Sequence, residues 1–346
     1  MSATFNLLPL VRPNIAALSP YSSARDEFKG SADVYLDANE NPFETGLNRY
    51  PDPLAAAVKK ELSDLKAVPE DQIMLGNGSD EVIDLLFRIF CEPGQDEVIT
   101  LPPTYGMYKV SADINNVAVV EVPLLSSFLP DVERILGAVT ERTKLLWLCT
   151  PNNPSGNDFP QASMERLIRD FPGIVVIDEA YVDFAGRDSY ISWLGRFPNL
   201  VVMQTFSKAW GLAGIRLGMA FASAEIIRLL NAVKPPYNVN RLTQQAALDA
   251  LRQKAQQQQE VRTILGQRAL VQQYLASLEF VQRIYPSSAN FILAKVDDPR
   301  ATYQYLMERG IIVRDRSRQP GCEGCLRFTV GTPEENEKLF KALLEM

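Results

Sequence analysis

The sequence predicts an α/β protein: a mostly parallel sheet in a large domain, a smaller α+β domain, and an N-terminal arm. Three observations predict it. From about Asp71 onward a short apolar run, a glycine or proline break and an amphipathic segment recur in that order. The apolar runs are nearly continuous rather than alternating, as in strands buried on both faces. After a long polar helical segment the pattern changes to shorter strand–helix units, and the 346 residues suit roughly two domains.

Taken in order, residues 1–40 are marked by proline and serine without sustained periodicity and read as an extended arm. The large domain is expected over 41–255, with strands at Gln72–Leu75, Asp96–Leu101, Thr143–Cys149, Gly173–Ile177 and Leu200–Met203. One long polar helical segment is expected from about Arg241 through K-A-Q-Q-Q-Q-E-V-R, its glutamines on a solvated face. The small domain is expected over 256–346, with strands at Phe291–Val296, Gly310–Val313 and Leu326–Val330 and a closing helix in P-E-E-N-E-K-L-F-K-A-L-L-E.

Composition narrows the function. The net charge is −7 with no long basic run, which disfavours nucleic acid or an anionic membrane as partner. No run reaches the about eighteen apolar residues of a membrane span. The start lacks the basic and apolar regions of a secretory signal, so a cytoplasmic protein is expected. Four cysteines include one C-x-x-C at Cys322 and Cys325; without a second pair or histidines, no metal site is expected. The chain has no histidine at all, which excludes Ser-His-Asp and Cys-His mechanisms and any histidine acid or base. Lysine, tyrosine, carboxylates or a cofactor must carry any chemistry.

Ligands of open parallel sheets bind beyond the carboxyl ends of the strands. At successive strand ends this chain places G-N-G-S-D-E opening a helix, P-P-T-Y with Tyr105, T-P-N-N-P-S-G with Asn153, D-E-A-Y with Asp178, and T-F-S-K with Lys208. Each has an ordinary explanation alone: a capped helix start, a core aromatic, a turn, a helix cap. Together they supply a phosphate cradle, a stacking aromatic, an amide, a desolvated carboxylate and a lysine. Pyridoxal 5′-phosphate needs this set: a lysine for the Schiff base, its reactivity aided by burial, and a carboxylate that keeps the pyridine nitrogen protonated. The amide and a tyrosine bond the ring hydroxyl.

The motifs resemble those of the fold-type-I pyridoxal-phosphate aminotransferases. The narrower histidinol-phosphate aminotransferase family is matched from end to end, in L-S-P-Y-S-S-A-R, Y-L-D-A-N-E-N-P-F, L-N-R-Y-P-D, P-P-T-Y-G-M-Y, P-N-N-P-S-G, D-E-A-Y-V-D-F, F-S-K-A-W-G-L-A-G-I-R-L-G and R-D-R…G-C-L-R-F-T-V-G. The resemblance implies Lys208 as Schiff-base lysine and proton shuttle, Asp178 at the ring nitrogen, Asn153 and Tyr181 at the ring oxygen, and Tyr105 stacked on the ring. It puts Ser79, Asp80, Thr205, Ser207 and Arg216 around the cofactor phosphate. It implies that Tyr50 reaches that phosphate from the other subunit, hence a homodimer with shared sites. It gives Arg327 and Arg314 to the anionic end of the substrate and Tyr21 to a further phosphate contact. Pro235–Thr243 is expected to line the site. The implied reaction exchanges histidinol phosphate and 2-oxoglutarate with imidazole acetol phosphate and glutamate, small-molecule amino donors and keto acids, in histidine synthesis. Aromatic-amino-acid aminotransferases and phosphothreonine decarboxylases of the same fold are the alternatives. A cofactor-binding regulator would need a DNA-binding domain that this length does not hold. A nucleotide-binding protein would need a Walker or dinucleotide glycine pattern, and neither is present.

Overall fold

A computed structural model describes residues 5–21, 28, 30 and 32–346. Among them, eleven strands form two sheets. The larger sheet contains β1 (Ile73–Asn77), β2 (Glu97–Thr100), β3 (Ala118–Glu121), β4 (Thr143–Cys149), β5 (Ile174–Asp178), β6 (Leu200–Thr205) and β7 (Leu217–Ala222), in the spatial order β1-β7-β6-β5-β4-β2-β3. The pairs β2–β3, β2–β4, β4–β5 and β5–β6 are parallel; only β7 runs against its neighbours β1 and β6. Every residue of β5, β6 and β7 is buried, which accounts for the apolar runs I-V-V-I, L-V-V-M and M-A-F-A within them.

The helices of this part are α1 (Pro13–Ala16), α2 (Ala56–Lys66), α3 (Ser79–Phe90), α4 (Met107–Ile114), α5 (Val132–Gly137), α6 (Gln161–Asp170), α7 (Ala224–Val233) and α8 (Arg241–Arg252). The strand residues divide between two apolar clusters, one on each face of the sheet. Ile73, Ile99, Leu146, Val175, Val202 and Met219 belong to one, and Met74, Val98, Trp147, Val176, Met203 and Ala220 to the other. The alternation of side chains along a strand produces this division.

A helix α9 (Lys254–Ala276) leads to the second, antiparallel sheet, with β8 (Val281–Ile284), β9 (Phe291–Val296), β10 (Arg314–Asp315) and β11 (Cys325–Thr329) in the order β10-β11-β9-β8. Helices α10 (Pro299–Glu308) and α11 (Pro333–Leu344) complete it, and Val271, Ile292, Leu306, Phe328 and Leu339 share its core. Thr332 and Glu335 form a reciprocal capping box that starts α11.

Three expectations change. The arm is not extended throughout its described residues, since Leu8–Leu10 and Pro13–Ala16 are helical. Leu7 and Val11 are buried in the core that contains α3 and α7, and the Arg12 backbone N–H donates to Ile89 at 2.9 Å. The expected long helix is two helices, with Gln253 between α8 and α9. Gly310–Val313 is not a strand. Gly310, at φ +73°, caps α10, and the N–H of Ile311 turns back to the Leu306 carbonyl, so pairing starts only at Arg314.

Candidate active site

A cavity of about 640 Å³ opens at the carboxyl ends of β1, β2, β4, β5 and β6 and is faced by β10 and β11 of the smaller sheet. It brings together twelve of the fourteen residues singled out in the sequence: Ser79, Asp80, Tyr105, Asn153, Asp178, Tyr181, Thr205, Ser207, Lys208, Arg216, Arg314 and Arg327. Because β7 runs antiparallel, its amino end, not its carboxyl end, delivers Arg216 to this rim.

At one wall, α3 starts without a side-chain cap. Its N-cap Gly78 has φ +75°, where a side chain would be strained, and a Cβ there would lie 2.7 Å from the Arg216 guanidinium. Gly218 is tighter still, since a Cβ would come within 2.3 Å of the Ser79 nitrogen. The two glycines let the start of α3 press onto β7, leaving helix N–H groups beside Ser79, Ser207 and Arg216. That is a donor set suited to a phosphate. Arg216 is half exposed and lies 3.6 Å from Asp80, which also accepts the Tyr105 hydroxyl at 3.1 Å.

Asp178 ends β5 and is only 4% exposed. No cation neutralises it within ion-pair distance among the described residues. Its oxygens accept the Tyr108 hydroxyl at 2.7 Å and the Ala180 N–H at 3.0 Å. Burial raises its pKa above the ordinary carboxylate value; the hydrogen bonds from Tyr108 and Ala180 oppose this. Tyr108 was not singled out in the sequence. It is fully buried, stacked on Trp147, and its side chain belongs to the apolar core except for that hydroxyl. A buried tyrosine needs a partner for its hydroxyl, and that was the available signal.

Lys208 sits at the cavity wall. It follows β6 in a turn, and its side chain is exposed to the cavity. Its ammonium lies 5.8 Å from the centre of the Tyr181 ring. Partial burial and then the nearby Arg327 lower its pKa, while Asp178 opposes them. Asn153 donates to the Tyr181 hydroxyl at 3.5 Å and accepts from Arg327, whose guanidinium sits 5.0 Å over the Phe291 ring. Arg327 therefore joins the small sheet to the strand ends of the large one.

Two expected residues lie elsewhere in the single chain. Tyr50 is half exposed, stacked on Tyr237 at 4.6 Å, in a groove shared with Glu40, Leu47 and Arg241. Tyr21 is 73% exposed beside Pro53 and Arg228. From Pro235–Thr243, Asn240, Arg241 and Leu242 line the Tyr50 groove and none lines the cavity. The S-S-A-R that follows Tyr21 lies outside the described residues. No cluster of potential metal ligands occurs among the described residues, and the four cysteines are free and buried.

An uncapped helix start, a buried carboxylate without a counter-cation, and a lysine open to the space between them fit a phosphorylated, protonated heteroaromatic aldehyde. Fold and site thus define a pyridoxal-phosphate enzyme of fold type I, and the chain belongs to the class I and II aminotransferases, whose family model matches residues 31–343. It is 55% identical over 344 residues to the histidinol-phosphate aminotransferase of Christiangramia forsetii, covering 99% of this chain and 98% of the relative. It is 52% identical over 343 residues to that of Flavobacterium johnsoniae, covering 98% of each. The solved structure of histidinol-phosphate aminotransferase from Sinorhizobium meliloti in complex with pyridoxal 5′-phosphate superposes with a TM-score of 0.78 at 26% identity, covering 86% of this chain and 82% of that one. Within its class, the chain falls in the histidinol-phosphate aminotransferase family.

Proposed function

We propose that the chain interconverts L-histidinol phosphate plus 2-oxoglutarate with imidazole acetol phosphate plus L-glutamate, using pyridoxal 5′-phosphate. The observation that carries this reading is the single cavity lined by Lys208, Asp178, Asn153, Tyr181 and Arg216 on one side and Arg314 and Arg327 on the other. When bound, the cofactor supplies a carbonyl carbon that takes an amine and a ring that accepts an electron pair from the substrate carbon.

The residues do the rest. Lys208 holds the cofactor aldehyde and then moves a proton on and off the substrate carbon; its lowered pKa favours the neutral amine that can do this. Asp178, held by Tyr108 and Ala180, keeps the ring nitrogen protonated. Asn153 and Tyr181 would hold the ring oxygen, and Tyr105 would pack on the ring. Ser79, Asp80, Thr205, Ser207 and Arg216 would hold the phosphate end, at the start of α3. Arg327 and Arg314 receive the anionic end of either amino donor, a carboxylate or a phosphate.

The same reading includes a homodimer in which Tyr50 of each copy completes the other's phosphate site, with Tyr21 as a further phosphate contact. Large apolar side chains lining the Tyr50 groove support it: Leu47 is 55% exposed and Leu242 63%. The division into 1–40, 41–255 and 256–346 is supported by the separate core of the second sheet. A cytoplasmic location is supported by four unpaired thiols.

The test is the absorption spectrum of the purified, cofactor-loaded protein mixed with histidinol phosphate and no keto acid. Conversion of the visible band by histidinol phosphate is expected. A band that responds to phenylalanine or tyrosine and not to histidinol phosphate overturns the substrate assignment.

A further inference from the structure

We propose that Arg316 is a specificity residue, a third guanidinium that reads the second negative charge of a phosphorylated substrate; this rests on the substrate reading above. Arg314 pairs directly with Arg327 across β10 and β11, and the ladder continues one step further, the Arg316 N–H donating to the Cys325 carbonyl at 2.9 Å. Residues two apart on a strand share a face. Arg316 therefore stands beside Arg314 on the side that carries Arg327, and all three line the cavity.

Among the described residues, no carboxylate balances these charges. Among the described residues none of the three forms an ion pair. Like charges directly opposed on neighbouring strands oppose folding. Arg314 is exposed, whereas Arg316 is half-buried, and its Nε, like that of Arg327 and the Oε1 of Gln319, is buried without a hydrogen-bond partner. Burial, followed by Arg327 and Arg314, pushes Arg316 down to about 10. One guanidinium satisfies a carboxylate of glutamate with two parallel hydrogen bonds. Three converging guanidiniums, two of them with unused buried N–H groups, suit a group with three oxygens and two charges. A phosphate monoester is that group.

The test uses the cofactor-loaded enzyme and follows its two half-reactions separately, one with histidinol phosphate and one with glutamate, in wild type, Arg316→Gln and Arg316→Lys. Removing one charged hydrogen-bond donor lowers the rate constant per unit concentration of histidinol phosphate by roughly ten- to a hundredfold. The loss with glutamate is expected to be at least about tenfold smaller, with Arg316→Lys recovering part of the discrimination. Equal losses in both half-reactions, or none in either, overturn the proposal. Melting curves of the loaded proteins must coincide within a few degrees, and Arg316→Lys carries the comparison if Arg316→Gln does not fold. If wild type does not accept histidinol phosphate, the substrate reading falls, and inorganic phosphate competing against glutamate decides for Arg316 alone. Weaker inhibition by phosphate in Arg316→Gln supports the assignment, and unchanged inhibition overturns it.

Discussion

Asp178 and Glu179 are adjacent at the end of β5, both nearly inaccessible, and their surroundings differ completely. Glu179 meets Arg187 at 2.9 Å, Gln204 at 3.0 Å, the Tyr190 N–H at 3.0 Å and the Ser189 hydroxyl. Arg187 in turn reaches Asp158 at 3.1 Å and the Thr150 carbonyl at 2.9 Å. Every charge there has a protein partner, so the network holds β5, β6 and the following turn in one arrangement. Asp178 has a tyrosine hydroxyl, one N–H and, among the described residues, no cation within ion-pair distance. Arg316 and Arg327 repeat the second pattern with buried N–H groups left over. A charge satisfied within the chain serves the structure; a desolvated charge left incomplete marks where a ligand completes it.

The sharpest break of this comparison is at Lys208. Lys208→Ala removes an ammonium with no ion pair among the described residues, so turnover should fall by about a thousandfold or more while the melting temperature of the cofactor-free protein changes little. Steady-state kinetics beside a thermal melt would show a different pattern if Lys208 were structural.

The adjacent carboxylates should then separate by readout. Asp178→Asn is expected to lower kcat by about a hundredfold or more, with the fold intact. Glu179→Gln should instead cost about 3 kcal/mol of stability, because Arg187 loses a buried partner. Urea unfolding of the cofactor-free proteins checks both. The raised Asp178 pKa means that the folded chain binds its proton more tightly than the unfolded chain. Stability of the cofactor-free wild type should therefore fall as pH rises from the ordinary value of 3.8 toward the folded-state pKa, and Asp178→Asn should remove that slope.

Tyr108→Phe tests the hydroxyl alone. It removes a donor to the charged carboxylate, worth about 1.5–3 kcal/mol. Asp178 should titrate higher still, and the low-pH limb of cofactor binding, followed by fluorescence titration, should move upward in pH. An unmoved limb would mean that Tyr108 does not hold Asp178 in its charged form. The smallest effect belongs to a fully solvated pair. Lys341 and Glu337 lie 2.8 Å apart on α11, both well exposed, and Lys341→Ala should change stability by less than about 0.5 kcal/mol.

The same contrast explains what could be read in the sequence. The buried strands β4, β5, β6 and β9 were legible because an unbroken apolar run has few other uses, and the polar residue that ends such a run lands at the ligand edge. β7 was missed because L-G-M-A-F-A follows a glycine-spaced motif that reads as a loop, although its antiparallel direction is what brings Arg216 to the site. β3 was missed because its four residues are half exposed and flank the sheet. Tyr108 looked like core, which it is, apart from one oxygen. Arg316 had a visible signal in R-D-R, whose spacing of two places both arginines on one strand face, but that strand was expected to end at Val313, before either arginine.

The contact between Gly218 and Ser79 has a consequence for how such a site can vary. With no room for even a methyl group, the helix-start end of the cavity cannot be retuned by exchanging a side chain at that joint without shifting the start of α3. The opposite end is built on a two-residue strand whose side chains project freely, and Gly310 releases that strand from the preceding helix. Variation in what the enzyme accepts therefore has one direction open to it: the arginine-bearing edge can change residue by residue while the glycine joint stays fixed.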